Sequence, residues 1–225
     1  LGTTDSDLAT AKKNLYLRIT DPATRSQVLK GMENQREHFD NLGLHIGYVY
    51  GDTEIPASAS LYTASYRAGA RLPHAWLPSA PPSPSPPSPP SSHLASLPPI
   101  SNAYVSELSH GALSEKQYST LDLISFDAFT LIFSSIFAAE WTALFSELRL
   151  RLAKSNARTL KINIAALGKD FNLVAGARAN EWVMGMQLEH GSAVLVRSDQ
   201  HILNCYSAGT KVDELLEGLL GHLGV

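Results

Sequence analysis

Apolar and polar positions are most regularly ordered after about residue 118. Ser119 to Ile124 and Phe129 to Phe133 predict short strands. Phe137, Trp141, Leu144, Phe145, Leu148 and Leu152 then recur at helical spacing. Glu140, Glu147, Arg149 and Arg151 fill the opposite face, with Glu147 and Arg151 an i,i+4 pair. Leu160 to Leu167 opens with the alternation Leu-Lys-Ile-Asn-Ile and predicts a strand. A less regular stretch follows. Ala193 to Arg197 and His201 to Cys205 predict a hairpin, turned at Ser198-Asp199-Gln200. Thr210 and Asp213 have capping-box spacing, ahead of a helical stripe from Val212 to Leu223. The order strand, helix, strand, hairpin, helix predicts an α/β fold of thioredoxin-like type: a mixed sheet with flanking helices.

The first part of the chain reads differently. Asp21-Pro22 predicts a helix start, with an acid at the N-cap and proline at the first helical position. Val28, Met32, Phe39 and Leu42 fall on one face, and Gly43 reads as the stop. Leu44 to Tyr50 reads as a strand. This helix and strand have no partner elements nearby, so they read as the remnant of another domain. Between the two regions lies a run with ten of the chain's thirteen prolines, residues 78–99. No Asp, Glu, Lys or Arg occurs between Arg71 and Glu107. Such a run favours polyproline II and forms no packed core. A PxxP ligand would carry a flanking basic residue, so a solvated linker, an insertion or an unspliced intron is the better reading. The predicted organisation is 1–55 remnant, 56–77 connector, 78–102 proline/serine-rich insertion and 103–225 α/β domain.

Composition adds limits. The chain has 225 residues, 44% hydrophobic and 17% charged, with net charge −3. A basic nucleic-acid face is not indicated. The densest apolar run, Phe126 to Phe145, is broken by Asp127 and Glu140, so no membrane span is expected. The single cysteine, Cys205, excludes a disulfide framework and suits a reducing, cytoplasmic setting. Within a predicted strand it reads as a small buried hydrophobe. The chain opens at Leu1 rather than methionine, and reads as a piece of something longer.

Catalytic patterns are missing from the sequence. A thioredoxin enzyme places CxxC between a strand and the next helix, where the helix dipole lowers the thiol pKa. Ser134-Ser135-Ile136-Phe137 stands there instead. There is no GxGxxG or GxxxxGK[ST] loop, no GxSxG elbow and no HExxH. Gly51-Asp52 reads as a turn. None of the eight histidines has a partner at metal-ligand spacing. No catalytic, cofactor-binding or metal residue is assigned.

Four segments, in order, carry a resemblance: Leu42 to Asp52 (LGLHIGYVYGD), Tyr66 to Leu77 (YRAGARLPHAWL), Ser119 to Phe133 (STLDLISFDAFTLIF) and Gly191 to Leu203 (GSAVLVRSDQHIL). Together they resemble the C-terminal portion of FAD-dependent aromatic-ring monooxygenases, the phenol 2-monooxygenase and chlorophenol hydroxylase group. The resemblance implies a parent oxidoreductase that hydroxylates phenols with FAD, NAD(P)H and O2. It implies that this segment is a thioredoxin-like domain without redox cysteines, with a structural or dimerisation role. The implied partners are the missing N-terminal FAD-binding domain and, in a homodimer, a second copy. FAD and NAD(P)H belong to the parent; none is expected to bind this segment alone. Within the resemblance, Arg67, Arg71, His74 and Trp76 join the two parts, and Arg71 and His74 read as a structural connector. Arg197, Asp199 and His201 read as a charged hairpin tip. Where Ser198 and Gln200 stand, the family has proline and glycine, so this turn is expected to be looser or built differently. The proline-rich run departs from the family. The alternatives are a free-standing, redox-inactive thioredoxin-like interaction module, or an inactive product of a degenerate or misannotated gene.

Overall fold

The computed structural model describes residues 8–78, 118–155 and 157–224. The proline-rich run lies outside them. They form two compact units, one of residues up to Gly47 plus Glu54–Thr63, the other of Tyr48–Thr53 plus Ala64 onward.

The first unit is helical. Its helices are α1 (Leu8–Thr20), α2 (Pro22–Asn34), α3 (Arg36–Phe39) and α4 (Leu42–Ile46). Asp21 caps α2 as its sequence predicts: its carboxylate accepts from Thr24 N at 2.8 Å, and Pro22 opens the helix. The end of this helix is not where glycine suggested. Asn34 ends α2, and Gly43 sits buried inside α4. A side chain at Gly43 would strike the carbonyls of Ser58, Ala59 and Leu61, so glycine is there for close approach rather than for termination. The strand expected at Leu44 to Tyr50 is also replaced. Its first half is helical, with Leu44 N donating to Ala59 O, and of its second half only Val49 forms a bridge. A hydrogen bond to Ala59 O and the close packing of Gly43 on the 58–61 backbone override a weak alternation. The α1 helix was not anticipated, because it shows no apolar stripe.

The second unit contains the sheet. Strand β1 (Trp76–Leu77) pairs antiparallel with β2 (Tyr118–Ser119). The main sheet has β3 (Phe129–Ser134), β4 (Ile162–Leu167), β5 (Ala193–Val196) and β6 (Ile202–Tyr206) in the order β4-β3-β5-β6. The β3/β4 pair is parallel and the other two are antiparallel, so the sheet is mixed. Helices α5 (Ala138–Leu152), α6 (Ala177–Gly185) and α7 (Val212–Leu223) complete an α/β fold. Alternation along the strands divides the core in two. Leu131, Phe133, Ala193 and Leu195 face Trp141, Phe145 and Leu148 of α5 and Leu215 and Leu219 of α7. Ile132, Val194 and Val196 belong to a second cluster with Trp182 of α6 and with Leu72, Ala75 and Leu77 of the connector.

Several local expectations shift. The strand expected at Ser119 to Ile124 is cut short: Ser119 Oγ accepts from Leu121 N, Asp122 accepts from Ser119 N, and a 3-10 turn covers Thr120–Leu123. The last helix is capped one residue later than Thr210 and Asp213 suggested, with Lys211 N donating to Glu214 Oε1 at 3.3 Å. The Glu147–Arg151 pair forms at 2.9 Å, and Arg151 also reaches Asp213 at 2.6 Å. Among the described residues, no helix is long and apolar enough to cross a membrane.

Candidate functional site

The sequence singled out two polar groups, in the connector and at the hairpin. The structure brings them together inside the sheet unit. Backbone pairing fixes the frame. Gly69 N donates to Ile202 O and Ile202 N to Ala70 O, both at 2.8 Å, so residues 69–71 lie against the start of β6 on its outer edge. Tyr50 N in turn donates to Gly69 O at 2.9 Å. Gly69 has φ +85°, and a side chain there would overlap Tyr50 O, so this position requires glycine twice over.

Side chains then tie the connector down. Arg71 donates through Nη2 to Gln200 Oε1 at 2.7 Å, and Gln200 Nε2 donates to Leu121 O at 3.3 Å. Leu72 N donates to Gln200 O at 2.8 Å. Gln200 therefore holds φ +69° by three anchors, which offset the cost of the left-handed region. The hairpin turn is built differently from a glycine turn, rather than loosened. His74 Nδ1 lies 2.7 Å from Ser119 Oγ, and its ring stands edge-on to Trp76 at 4.5 Å. Burial, and secondarily the charge of Arg178, push the His74 pKa below its ordinary value. Behind it, buried Thr120 Oγ1 donates to Pro73 O at 2.8 Å and accepts from Ala75 N at 3.0 Å. Trp182 Nε1 also donates to Pro73 O, at 2.9 Å. Arg67 pairs with Asp52, which follows Gly51 in the expected turn.

At the hairpin, Arg197 and Asp199 form an ion pair at 2.6 Å. His201 is not part of an exposed tip: it is 5% exposed. Its Nδ1 lies 3.1 Å from Asp199 O, and a carbonyl only accepts, so Nδ1 carries the proton. Nε2 is buried, without a hydrogen-bond partner among the described residues. Tyr48 and Tyr50 pack on the imidazole at 5.3 and 4.7 Å, and Arg197 lies over the Tyr50 ring at 5.0 Å. The tyrosine contacts escaped sequence reading, because Tyr48 and Tyr50 lie more than 140 positions from His201. Their pattern, two aromatics either side of Val49, was legible only as a strand.

Apart from His201 Nε2, the polar groups named here are engaged with one another, and the cluster's chemistry is that of a clasp holding residues 48–53 and 67–77 to the hairpin. Ser134 to Phe137 lie at the β3–α5 junction as expected, with Ser134 Oγ accepting from Ile136 N at 3.4 Å. Cys205 is exposed, not buried, because it lies on β6, the outermost strand of the main sheet. Atoms around the sulfur still desolvate it and raise its thiol pKa. Among the described residues, no group of three or more His, Cys, Asp or Glu can hold a metal ion.

No protein-family model matches the sequence, and no curated protein sequence matches it significantly. Solved structures do match. The flavin-dependent monooxygenase PieE, in complex with FAD and substrate, covers 99% of this chain with a TM-score of 0.53 and 18% identity. The matched part is 34% of the PieE chain, so this chain spans about a third of that protein's length. A ternary complex of aklavinone-11 hydroxylase with FAD and aklavinone covers 77% of this chain and 24% of its own, with a TM-score of 0.46 and 19% identity. The PieE likeness shows the fold.

Proposed function

We propose that this chain is the C-terminal part of a FAD-dependent monooxygenase that hydroxylates phenolic compounds with NAD(P)H and O2. The observation that carries the reading is the alignment of 99% of the chain with one third of a FAD-bound monooxygenase. The ordered segment resemblances point the same way, and they include the residues of the clasp. In this reading residues 103–225 are a thioredoxin-like domain, the segment's role is structural or in dimerisation, and the protein is cytoplasmic. FAD and NAD(P)H are held by the remainder of the parent. The β3–α5 turn supports this placement, because Ser134 caps it, where a pyrophosphate would need open backbone amides. The helical unit supports it too. No residue of α2 is buried, and Val28, Met32 and Phe39 line an open cup of about 540 Å³. A face of this kind suits a missing partner domain.

A free-standing module of residues 103–225 has the two-sided core in its favour. It would forgo Leu72, Ala75 and Leu77, which are buried in that core. The deciding experiment is to map the transcript upstream of the Leu1 codon and assay the joined product. The expected result is an in-frame GxGxxG, FAD near one per chain and phenol-stimulated NAD(P)H oxidation. An upstream sequence without flavoprotein character sinks the reading.

A further inference from the structure

The two outer edges of the main sheet differ. The start of the β6 edge, at Ile202, is covered by residues 69–71. Among the described residues the Ile162–Ile164 part of the β4 edge has no such cover, and the strand's pairing shows which groups it leaves open. Phe129 stands opposite Ile162 in the parallel β3/β4 pair, and Phe129 N donates to Lys161 O at 3.0 Å. In a parallel ladder the backbone groups of alternate residues point to the same side. Lys161 and Asn163 therefore turn theirs toward β3, while Ile162, Ile164 and Ala166 turn theirs outward. Ala166 is occupied: its N–H donates to Asp170 Oδ2 at 2.8 Å, and its carbonyl accepts from Lys169 and Asp170. Ile162 and Ile164 have no such cover among the described residues. Each leaves one N–H and one C=O at the edge, and the strand carries neither a proline nor a bulge to block pairing.

A basic cleft adjoins the start of this edge. It has a volume of about 440 Å³, lies between the end of α5 and the start of β4, and is lined by Arg149, Arg158, Lys161 and Asn163. Lys161 is engaged by Asp127 at 2.6 Å. Arg149 and Arg158 have no carboxylate partner among the described residues. No acidic residue lines the cleft.

We propose that the Ile162–Ile164 edge of β4 and the Arg149/Arg158 cleft form a docking surface for an acidic extended peptide, which adds to the sheet as a fifth strand. Main-chain bonds to Ile162 and Ile164 supply the pairing, and the two guanidiniums select carboxylate side chains at that end. Charge complementarity favours this occupant over a second copy of the chain, whose own cleft would bring like charges together. The surface is independent of the flavin reading and stands or falls without it.

The test uses the full 225-residue chain and a fluorescein-labelled seven-residue peptide alternating glutamate and valine, read by anisotropy. Three control peptides are used: one replaces glutamate with lysine, and two carry N-methyl groups on one or the other set of alternate residues. The expected result is saturable binding of the acidic peptide, with the lysine peptide and one of the two N-methylated peptides weaker by roughly tenfold or more. Hydrogen exchange should show the Ile162 and Ile164 amides gaining protection. The double variant Arg149→Glu, Arg158→Glu should lose affinity by roughly tenfold or more with an unchanged near-ultraviolet spectrum. If that variant misfolds, a fall in native-chain affinity with rising salt reads the same charge dependence. Equal binding of both N-methylated registers, no binding, or protection elsewhere overturns the proposal. So does self-association that protects the same two amides without peptide.

Discussion

The helical unit and the sheet unit use hydrophobic residues in opposite ways. In the sheet unit, strand alternation delivers side chains to two closed clusters, and Trp182, Phe133 and Leu215 are almost wholly buried. In the helical unit, α2 buries nothing, and Leu29, Met32 and Phe39 are 56%, 64% and 87% exposed. Helices without a buried face draw little stability from their own propensity, whereas a packed sheet has tertiary contacts to hold it. The same chain thus holds one region that contains its own reasons for folding and one whose apolar face is unanswered within its unit.

This contrast can be measured, because the three tryptophans, Trp76, Trp141 and Trp182, all lie in the sheet unit. Tryptophan fluorescence during urea unfolding therefore reports that unit alone. The largest effect is expected from Trp182→Ala. It opens a cavity in a closed cluster and strips Pro73 O of a donor. A loss of about 3–5 kcal/mol is expected, read from the remaining two tryptophans. A loss under about 1 kcal/mol would show that the connector does not belong to that core.

A smaller effect should come from pH. Burial and Arg178 hold the His74 pKa below the 6.5 of an exposed histidine. The unfolded chain then takes up the proton first, so stability falls as pH drops below about 6.5 toward the folded value. His74→Gln should flatten the urea midpoint across that window. An unchanged slope in the variant would assign the pH dependence elsewhere. Phe39→Ser is expected to do least, under about 0.5 kcal/mol by thermal circular dichroism, because an exposed ring leaves no cavity. A large loss there would give the helical unit a core that its burial does not show.

The sequence was most legible where packing and local pattern agree. Phe129 to Phe133, the α5 stripe and the hairpin strands all formed close to their expected bounds, because the residues that alternate are the ones that become buried. It was least legible where distant backbone decides. Gly43 looks like a stop until the 58–61 carbonyls are seen against it, and Leu44 to Tyr50 alternates yet begins as a helix. Gln200 is the instructive case for the clasp. Its glutamine looked like a defect in a turn that favours glycine, yet its amide is what joins Arg71 to Leu121 O. The positions of Arg71 and His201 in the sequence marked them as polar. Only the fold shows that one fastens a backbone edge and that the other is enclosed by two tyrosines.

The 69–71 segment along β6 has a consequence for growth. A sheet with two bare margins can be extended from either side without limit, and that is the geometry of a filament. Here the start of one margin, at Ile202, is already paired with the chain's own backbone. A strand added at that margin meets this segment at the start of β6, whereas Ile162 and Ile164 offer open pairing groups among the described residues, so edge-to-edge growth is favoured on the β4 side.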